Sequence, residues 1–195
     1  MIRFFDVFFS GIGLILLFPL LLILYIIIRC ESKGDGFYVQ ERIGKDGKPF
    51  MMYKFRSMYE GADKGSMITI GSNDNRITRV GSFIRKYKLD ELPQLWNVFI
   101  GDMSIVGPRP EVKKYTRLYT SEQSKVLSVR PGITDWASIE YVDENIILGK
   151  AIDPDKTYIE IILPDKIRYN MKWIENQCII EYFKIILMTF LKIVR

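Results

Sequence analysis

The hydrophobic positions of the chain are concentrated in one run near its amino terminus. Residues 7–28 carry no formal charge, and a straight helix of that length would measure about 33 Å. This length matches the roughly 30 Å hydrocarbon core of a bilayer. Charged residues flank the run on both sides: Arg3, Asp6, Arg29 and Lys33. The pattern predicts a membrane anchor over residues 1–33, followed by a catalytic or binding domain over residues 34–195.

A proline interrupts the apolar run near its middle. Pro19 cannot donate a backbone hydrogen bond to the carbonyl of Ile15, so we expect a bend at Phe18 and Pro19. The bend fits either a kinked spanning helix or a re-entrant helix that enters and leaves on one face. The re-entrant form places all the flanking charges on the same side. The many cations after the run predict that this side is the cytoplasm.

The domain that follows begins with a strand pattern. Residues 37–57 read as two extended segments around the turn at residues 45–48. On the second segment, Lys54 and Arg56 share one face of the strand. They are either solvated edge charges or a pair that binds an anion. Residues 60–75, rich in Gly, Ser, Asn and Asp, predict a long surface loop, for which a mobile lid is one hypothesis and plain disorder the other.

The carboxyl-terminal segment has a helical pattern. Apolar residues recur with a period near 3.6 on one face, and charged residues lie opposite. The apolar members are Ile179, Ile180, Phe183, Ile186, Leu187, Phe190 and Leu191. Such a helix packs on a core or lies in the headgroup layer of a membrane. The predicted anchor favours the membrane interface.

Composition narrows the possible chemistry. The net charge of +5 indicates an anionic partner: nucleic acid, lipid headgroups or a phosphorylated substrate. The chain has no histidine, which excludes Ser-His and Cys-His mechanisms and histidine metal sites. Cys30 and Cys178 are too few and too far apart for a disulfide framework or a metal knuckle. Any catalysis is therefore left to Asp, Glu, Lys, Arg, Tyr, Ser and Cys side chains.

Candidate chemistry is concentrated in residues 76–110. Residues 89–95 predict a helix that starts with Asp90 near its N-cap, which is the structural interpretation of that residue. Free N–H groups at a helix start attract phosphate, and several cations precede this point: Arg76, Arg79, Arg85, Lys86 and Lys88. Adjacent carboxylates on a helix are about 100° apart, so Asp90 and Glu91 are not a glycosidase pair. A carboxylate among cations and phosphates binds Mg²⁺ or attacks phosphorus.

Downstream, an arginine stands between two prolines. Pro108 and Pro110 restrict the backbone on both sides of Arg109. Arg109 is either an incidental charge on a turn or a guanidinium held to bind a diphosphate or nucleotide. Residues 130–132, which begin with Arg130, form a second motif of the same kind.

Together these motifs resemble the small bacterial sugar transferases of the monotopic phosphoglycosyl transferase family. The matching pieces are Arg3-x-x-Asp6 and residues 53–58, 89–95, 101–104, 106–110 and 129–134, in family order across most of the chain. The fold expected is α+β, mostly helical with short β segments. The resemblance implies a monotopic protein on the cytoplasmic face of the bacterial inner membrane, with a re-entrant amino-terminal helix and interfacial amphipathic helices in contact with membrane lipids.

The resemblance also implies a reaction. Sugar 1-phosphate passes from a UDP-sugar to polyprenol (undecaprenyl) phosphate, UMP is released, and a surface glycan is started: capsule, O-antigen, exopolysaccharide or glycoprotein glycan. Asp90 matches the family nucleophile, which forms a phosphosugar-aspartyl intermediate and contacts Mg²⁺. Glu91 matches its essential acidic neighbour, for positioning or for proton handling. Arg109 falls in the nucleotide-site motif. Our candidates for phosphate binding by charge are Lys54, Arg56, Arg85, Lys88 and Arg130.

The sequence departs from the family pattern at two places. Phe18 stands where many members have a serine before the membrane proline, so the bend lacks a hydroxyl that could bond the freed backbone. Asp135 replaces the glycine of a Gly-Trp pair. The rival hypothesis is a membrane-tethered basic protein that binds anionic lipid or nucleic acid, which charge alone favours. On the main hypothesis nucleic acid is not a partner.

Overall fold

The computed structural model describes residues 1–62 and 74–194. These residues are mostly helical with short strands, as the sequence predicts. The helices are α1 (Ile2–Glu31), α2 (Arg79–Lys86), α3 (Gln94–Ile100), α4 (Lys113–Thr116), α5 (Trp136–Glu140), α6 (Glu144–Gly149), α7 (Pro154–Thr157), α8 (Leu163–Glu175) and α9 (Ile179–Val194); the strands are β1 (Phe37–Ile43), β2 (Pro49–Phe55), β3 (Ser104–Val106) and β4 (Gly132–Thr134). The predicted lid over residues 60–75 lies outside the described residues except at its ends.

Helix α1 is the predicted apolar segment. It is long and apolar enough to cross a membrane by length and composition. Its helical structure runs from Ile2 to Glu31 and includes Pro19. The side chain of Phe18 is exposed, like most of the apolar residues of this helix. The apolar helix is therefore confirmed, and a re-entrant bend at Phe18 and Pro19 stays a prediction.

The domain contacts α1 near both of its ends. Near the start, the Arg3 guanidinium donates to the carbonyls of Val98 (2.6 Å) and Phe99 (2.9 Å) at the end of α3. Near the other end, Leu24 and Ile28 are buried in a cluster with Phe55 of β2 and Ile84 of α2. Between these points, a Cβ added at Gly11 or Gly13 would lie 3.3 Å from the Phe99 or Leu95 side chain, so these glycines allow α3 to approach closely.

A buried carboxylate also fixes the start of α1. Asp6 is 2% exposed and accepts hydrogen bonds from Ser104 Oγ, the Ile105 backbone N–H and Tyr182 Oη, all within 3.0 Å. These donors belong to β3 and α9. A buried polar group is stable only where it is hydrogen-bonded, so these contacts hold α1, β3 and α9 together at Asp6.

The predicted strands form a hairpin. β1 pairs antiparallel with β2, from Phe37 opposite Phe55 to Ile43 opposite Pro49. The turn between them is the predicted one, and Asp46 there has a positive φ of 57°. β3 and β4 form a second, parallel pair. This pair brings together the two proline motifs, residues 107–110 and residues 130–132.

Helix α9 is the predicted carboxyl-terminal helix. Its apolar residues are divided between a buried face and an exposed face, which periodicity did not predict. Tyr182 and Ile185 are not among the apolar residues that periodicity places on one face, and both are fully buried against Val106 and Trp173. The residues of that predicted apolar face that stay exposed are Ile180, Phe183, Leu187, Phe190 and Leu191. The helix thus has one apolar face in the core and another that faces outward.

Candidate active site

Asp90 lies in a tight turn between α2 and α3. Leu89–Glu91 form a single 3₁₀ turn, and Lys88 before them has a left-handed backbone with φ 56°. α3 begins only at Gln94, with no side-chain cap at its start. The prediction that Asp90 caps this helix is therefore wrong, because the Leu92 N–H bonds to the Leu89 carbonyl and closes a separate turn. The turn directs the Asp90 side chain inward.

The Asp90 carboxyl is buried, and one of its oxygens is unpaired. The residue is 9% exposed, and its Oδ1 has no hydrogen-bond partner among the residues that the structure describes. Burial raises the pKa of this carboxyl above its usual value, and the charge of Glu91 raises it further. Cations oppose this rise: Lys54, Arg85 and Lys88. The Asp90 carboxyl group therefore has an oxygen that can still bind a partner.

Glu91 forms ion pairs with two cations, Lys54 and Arg109. Its Oε1 accepts from Lys54 Nζ at 2.9 Å and from Arg109 Nη2 at 2.5 Å, and its Oε2 lies 3.4 Å from Arg109 Nη1. Burial would raise the pKa of the Glu91 carboxyl, but the charges of Arg109 and Lys54 together hold it well below its usual value. Glu91 therefore stays ionised at neutral pH and holds both cations in place.

Lys54 reaches this cluster from β2. Burial lowers the pKa of its ammonium group, while the charge of Glu91 opposes that effect. β2 is itself fastened to α3 by Asn97, whose side chain accepts from the Tyr53 N–H (3.0 Å) and donates to the Met51 carbonyl (2.7 Å). Sequence analysis missed Asn97. A polar residue on the apolar side of a helix was the available signal.

Arg109 lies on a loop whose backbone packs closely against the backbone of residues 130–132. A Cβ added at Gly107 would lie 2.5 Å from the Arg130 carbonyl, and one at Gly132 would collide with the Gly107 backbone, so only glycine fits at either position. The Gly132 N–H donates to the Pro108 carbonyl at 2.9 Å. Asp135 Oδ2 accepts from the Arg109 N–H at 3.2 Å. The proline motif therefore sits on a rigid support.

Two predicted phosphate ligands have their hydrogen bonds elsewhere. Arg56 donates to the carbonyls of Ile28, Ser32 and Lys33 at the end of α1. Arg130 Nε donates to the Gly101 carbonyl at 2.8 Å, just beyond α3. These contacts indicate that both arginines cap helix ends.

The structure brings the other candidates together. Asp90 and Glu91 are adjacent, and Lys54 and Arg109 bind Glu91 directly. Arg85 and Lys88 act on the Asp90 carboxyl through their charge. This arrangement suits the binding of a phosphorylated substrate beside an available carboxylate, because cations neutralise phosphate and the unpaired Oδ1 can form a new bond.

Comparison with known proteins identifies the family that the sequence motifs resemble. The model of the family described as "Bacterial sugar transferase" matches residues 1–195. The chain is 46% identical to a putative undecaprenyl-phosphate N-acetylgalactosaminyl 1-phosphate transferase of Bacillus subtilis, over 62% of this chain and 67% of that protein.

Longer relatives match as well. One is a UDP-N-acetylgalactosamine-undecaprenyl-phosphate N-acetylgalactosaminephosphotransferase of Aeromonas hydrophila, 38% identical over 80% of this chain. Another is a UDP-glucose:undecaprenyl-phosphate glucose-1-phosphate transferase of Klebsiella pneumoniae, 40% identical over 79%. The matches span 36% and 35% of those two proteins. This chain belongs to the bacterial sugar transferase family.

Proposed function

We propose that this chain is a phosphoglycosyl transferase, which moves sugar 1-phosphate from a UDP-sugar to polyprenol phosphate and releases UMP. The observation that carries the proposal is the buried Asp90 carboxyl with its unpaired Oδ1, beside Glu91 and its two cations. The names of the relatives support the same reaction class and the same pair of substrates. The product would start an exopolysaccharide or another surface glycan.

The first step is attack by Asp90. A carboxylate oxygen bonds to the β-phosphorus of the UDP-sugar, and the bond from that phosphorus to the bridging oxygen breaks. The bridging oxygen leaves with the electron pair as part of UMP, and a phosphosugar-aspartyl intermediate remains. Lys54 and Arg109 are charged groups beside this point and would stabilise the phosphate oxygens as the negative charge shifts.

The second step returns Asp90 to its free form. An oxygen of polyprenol phosphate bonds to the same phosphorus, and the Asp90 carboxylate leaves. The acceptor is already an oxyanion, so no general base has to remove a proton from it. This chemistry agrees with a chain that lacks histidine. It also favours positioning over proton handling for Glu91, because a carboxyl whose pKa is well below its usual value holds no proton at neutral pH.

Magnesium fits this site as a metal shared with the substrate. Within residues 1–62 and 74–194, no group of three or more Asp, Glu, His or Cys residues could hold an ion by itself. Mg²⁺ commonly binds one or two carboxylates together with substrate phosphates, and the unpaired Asp90 Oδ1 could be such a ligand. The ion would neutralise charge on the diphosphate.

We also propose that α1 does not cross the membrane. Arg3 binds the end of α3, and Arg56 binds carbonyls at the end of α1, so the same folded unit holds both ends of the helix. A spanning helix would separate its ends by the full bilayer. The outward apolar face of α9 supports an interfacial position beside α1 on the cytoplasmic side. Cysteine introduced at Ile2 in a variant without Cys30 and Cys178 should resist a membrane-impermeant reagent added from the periplasm; labelling there would contradict the proposal.

The reaction is tested by product analysis. Purified protein is given a panel of UDP-sugars with polyprenol phosphate, and released nucleotide is measured. We expect UMP; release of UDP would identify a conventional glycosyltransferase and overturn the proposal. Asp90→Asn should abolish turnover, whereas Asp143→Asn, at an exposed position, should not. Near-normal turnover of Asp90→Asn would also contradict the proposal. Without acceptor, the wild-type protein should release about one UMP per protein and gain the mass of the phosphosugar on Asp90.

A further inference from the structure

Gln94, the first residue of α3, is buried and has an unused hydrogen-bond donor. The residue is 1% exposed, and its Nε2 has no hydrogen-bond partner among the residues that the structure describes. A buried N–H group without an acceptor costs free energy, so native proteins rarely keep one without a reason. The two steps proposed above give Gln94 no role. Its amide is therefore a candidate for a group that is needed only while a substrate is present.

Contacts on both sides of Gln94 fix the direction in which it faces. Three residues earlier, Glu91 Oε1 accepts from Lys54 Nζ of β2 at 2.9 Å. Three residues later, the Asn97 side chain bonds to the β2 backbone. The backbone stays right-handed from Glu91 into α3, and residues three apart on a helix lie on the same face. Gln94 therefore faces β2 as well, between Glu91 and Asn97.

Asn97 shows how an amide on this face serves the fold. Its oxygen accepts from the Tyr53 N–H at 3.0 Å, and its NH₂ group donates to the Met51 carbonyl at 2.7 Å. Both ends of that amide are thus bonded to β2. Gln94 lies one turn closer to Asp90, and its NH₂ group makes no such bond to the described residues. The packing of α3 on β2 therefore does not depend on the Gln94 donor.

Asp90 has the complementary unpaired atom. Its buried Oδ1 is an acceptor without a partner in the described part of the chain, and residues four apart on a helix are neighbours. Asp90 Oδ1 and Gln94 Nε2 do not bond to each other. A phosphoryl group attached to Asp90 would satisfy both, because its phosphorus bonds to the carboxylate oxygen and its outer oxygens accept hydrogen bonds. The donor and the acceptor therefore suit the same phosphoryl group.

We infer that Gln94 Nε2 donates a hydrogen bond to an outer oxygen of the phosphoryl group as that group bonds to Asp90. The inference rests on the proposed function, which supplies the phosphoryl transfer. As the bond from an Asp90 oxygen to the β-phosphorus forms, the bond to the bridging oxygen breaks, and that oxygen leaves with its electron pair in UMP. The phosphorus reaches bonding distance of Asp90 only in the transition state, so the Gln94 hydrogen bond is complete only there. A donor fixed in advance at this point lowers the barrier.

The test is Gln94→Met in the full chain in detergent, which keeps the length of the side chain and removes the donor. The substrate is the UDP-sugar of the panel that gives the most UMP. Without acceptor, the amplitude should stay at about one UMP per protein while the rate constant falls about 100-fold, as for loss of a transition-state donor. With acceptor, kcat and kcat/KM should fall together at unchanged KM. Gln177→Met, at an exposed position, is the matched control and should behave as the wild type.

Amplitude and thermal unfolding separate catalysis from damage to the fold. Gln94→Met removes an unpaired buried N–H group, so Tm should stay the same or rise. A fall in Tm of more than about 5 °C, or a loss confined to the amplitude, would mean that the amide holds the fold and would overturn the inference. A rate constant within about threefold of the wild type, or a raised KM at unchanged kcat, would overturn it as well. The proposed function stands in each case if the wild-type protein releases UMP; absence of that release would overturn both.

Discussion

The charge of Glu91 offers the sharpest test of the site. Glu91→Gln keeps the shape of the side chain and removes the counter-charge of Lys54 and Arg109. Their side chains are 16% and 35% exposed, and that of Glu91 is 12% exposed. Removing one partner of a buried ion pair costs about 3–5 kcal/mol. Water reaches Arg109 and the amide keeps an acceptor, so we expect a smaller loss in the free energy of unfolding, about 2–3 kcal/mol, or roughly 5–10 °C in Tm.

The pH dependence of turnover should change in a defined direction. The negative charge of Glu91 raises the pKa of Asp90, so its removal lowers that pKa and leaves Asp90 ionised to lower pH. The same charge opposes the burial that lowers the pKa of Lys54, so its removal lowers this pKa further and discharges Lys54 at a lower pH. Both limbs of the pH profile of kcat/KM should therefore move to lower pH, while the maximum rate falls.

The assay is UMP release from a UDP-sugar over a range of pH, with thermal unfolding measured in parallel. Glu122→Gln is the control, because the Glu122 side chain is 84% exposed and lies 3.8 Å from Lys125; such surface pairs contribute about 0–1 kcal/mol. An acidic limb that stays in place or moves to higher pH in Glu91→Gln would refute the electrostatic argument. A lower rate with an unchanged profile would mean that Glu91 acts through geometry alone.

Three further predictions concern the support of the site. Asp6→Asn turns an acceptor of three groups into a partial donor and should lower the free energy of unfolding by about 3 kcal/mol, measured by thermal melting. Gly132→Ala forces a Cβ into the Gly107 backbone and should abolish UMP release by displacing Arg109; wild-type kinetics would contradict this reading. Removal of divalent cations by EDTA should stop UMP release, and added Mg²⁺ should restore it; full activity in EDTA would exclude the proposed metal.

The parts of the fold that sequence predicted are those encoded by neighbouring residues. The hairpin around Asp46 follows from a strand pattern on each side of a turn, and α1 and α9 follow from apolar residues with a helical period. The proline motif around Arg109 is also local, since proline restricts its own backbone and that of the residue before it. The error at Asp90 has a local cause too. The pattern of an acidic residue followed by Pro93 suits a helix start, but the left-handed Lys88 begins a separate turn.

The contacts that sequence did not predict join residues far apart in the chain. Asp6 binds Ser104 and Tyr182, and Asn97 binds the β2 backbone. Nothing near Asp6 in the sequence indicates its partners, because its donors come from β3 and α9. The pairing of Glu91 with Lys54 and Arg109 is of the same kind. A single sequence shows which of these residues are charged, but the fold determines which of them come into contact.

Arginine shows why charge alone could not assign the site. The carbonyl groups at the end of a helix have no partner within the helix, and near lipid they have little water to bind. Arg56 supplies donors to the end of α1, and Arg3 and Arg130 supply donors at the end of α3. A group of carbonyl oxygens and a phosphate both attract a guanidinium, so the sequence gives the same signal for both tasks. Arg109 differs from these three arginines in its partner, which is the ionised Glu91. Because Glu91 is adjacent to Asp90, Arg109 is held beside Asp90, where the substrate phosphates would lie.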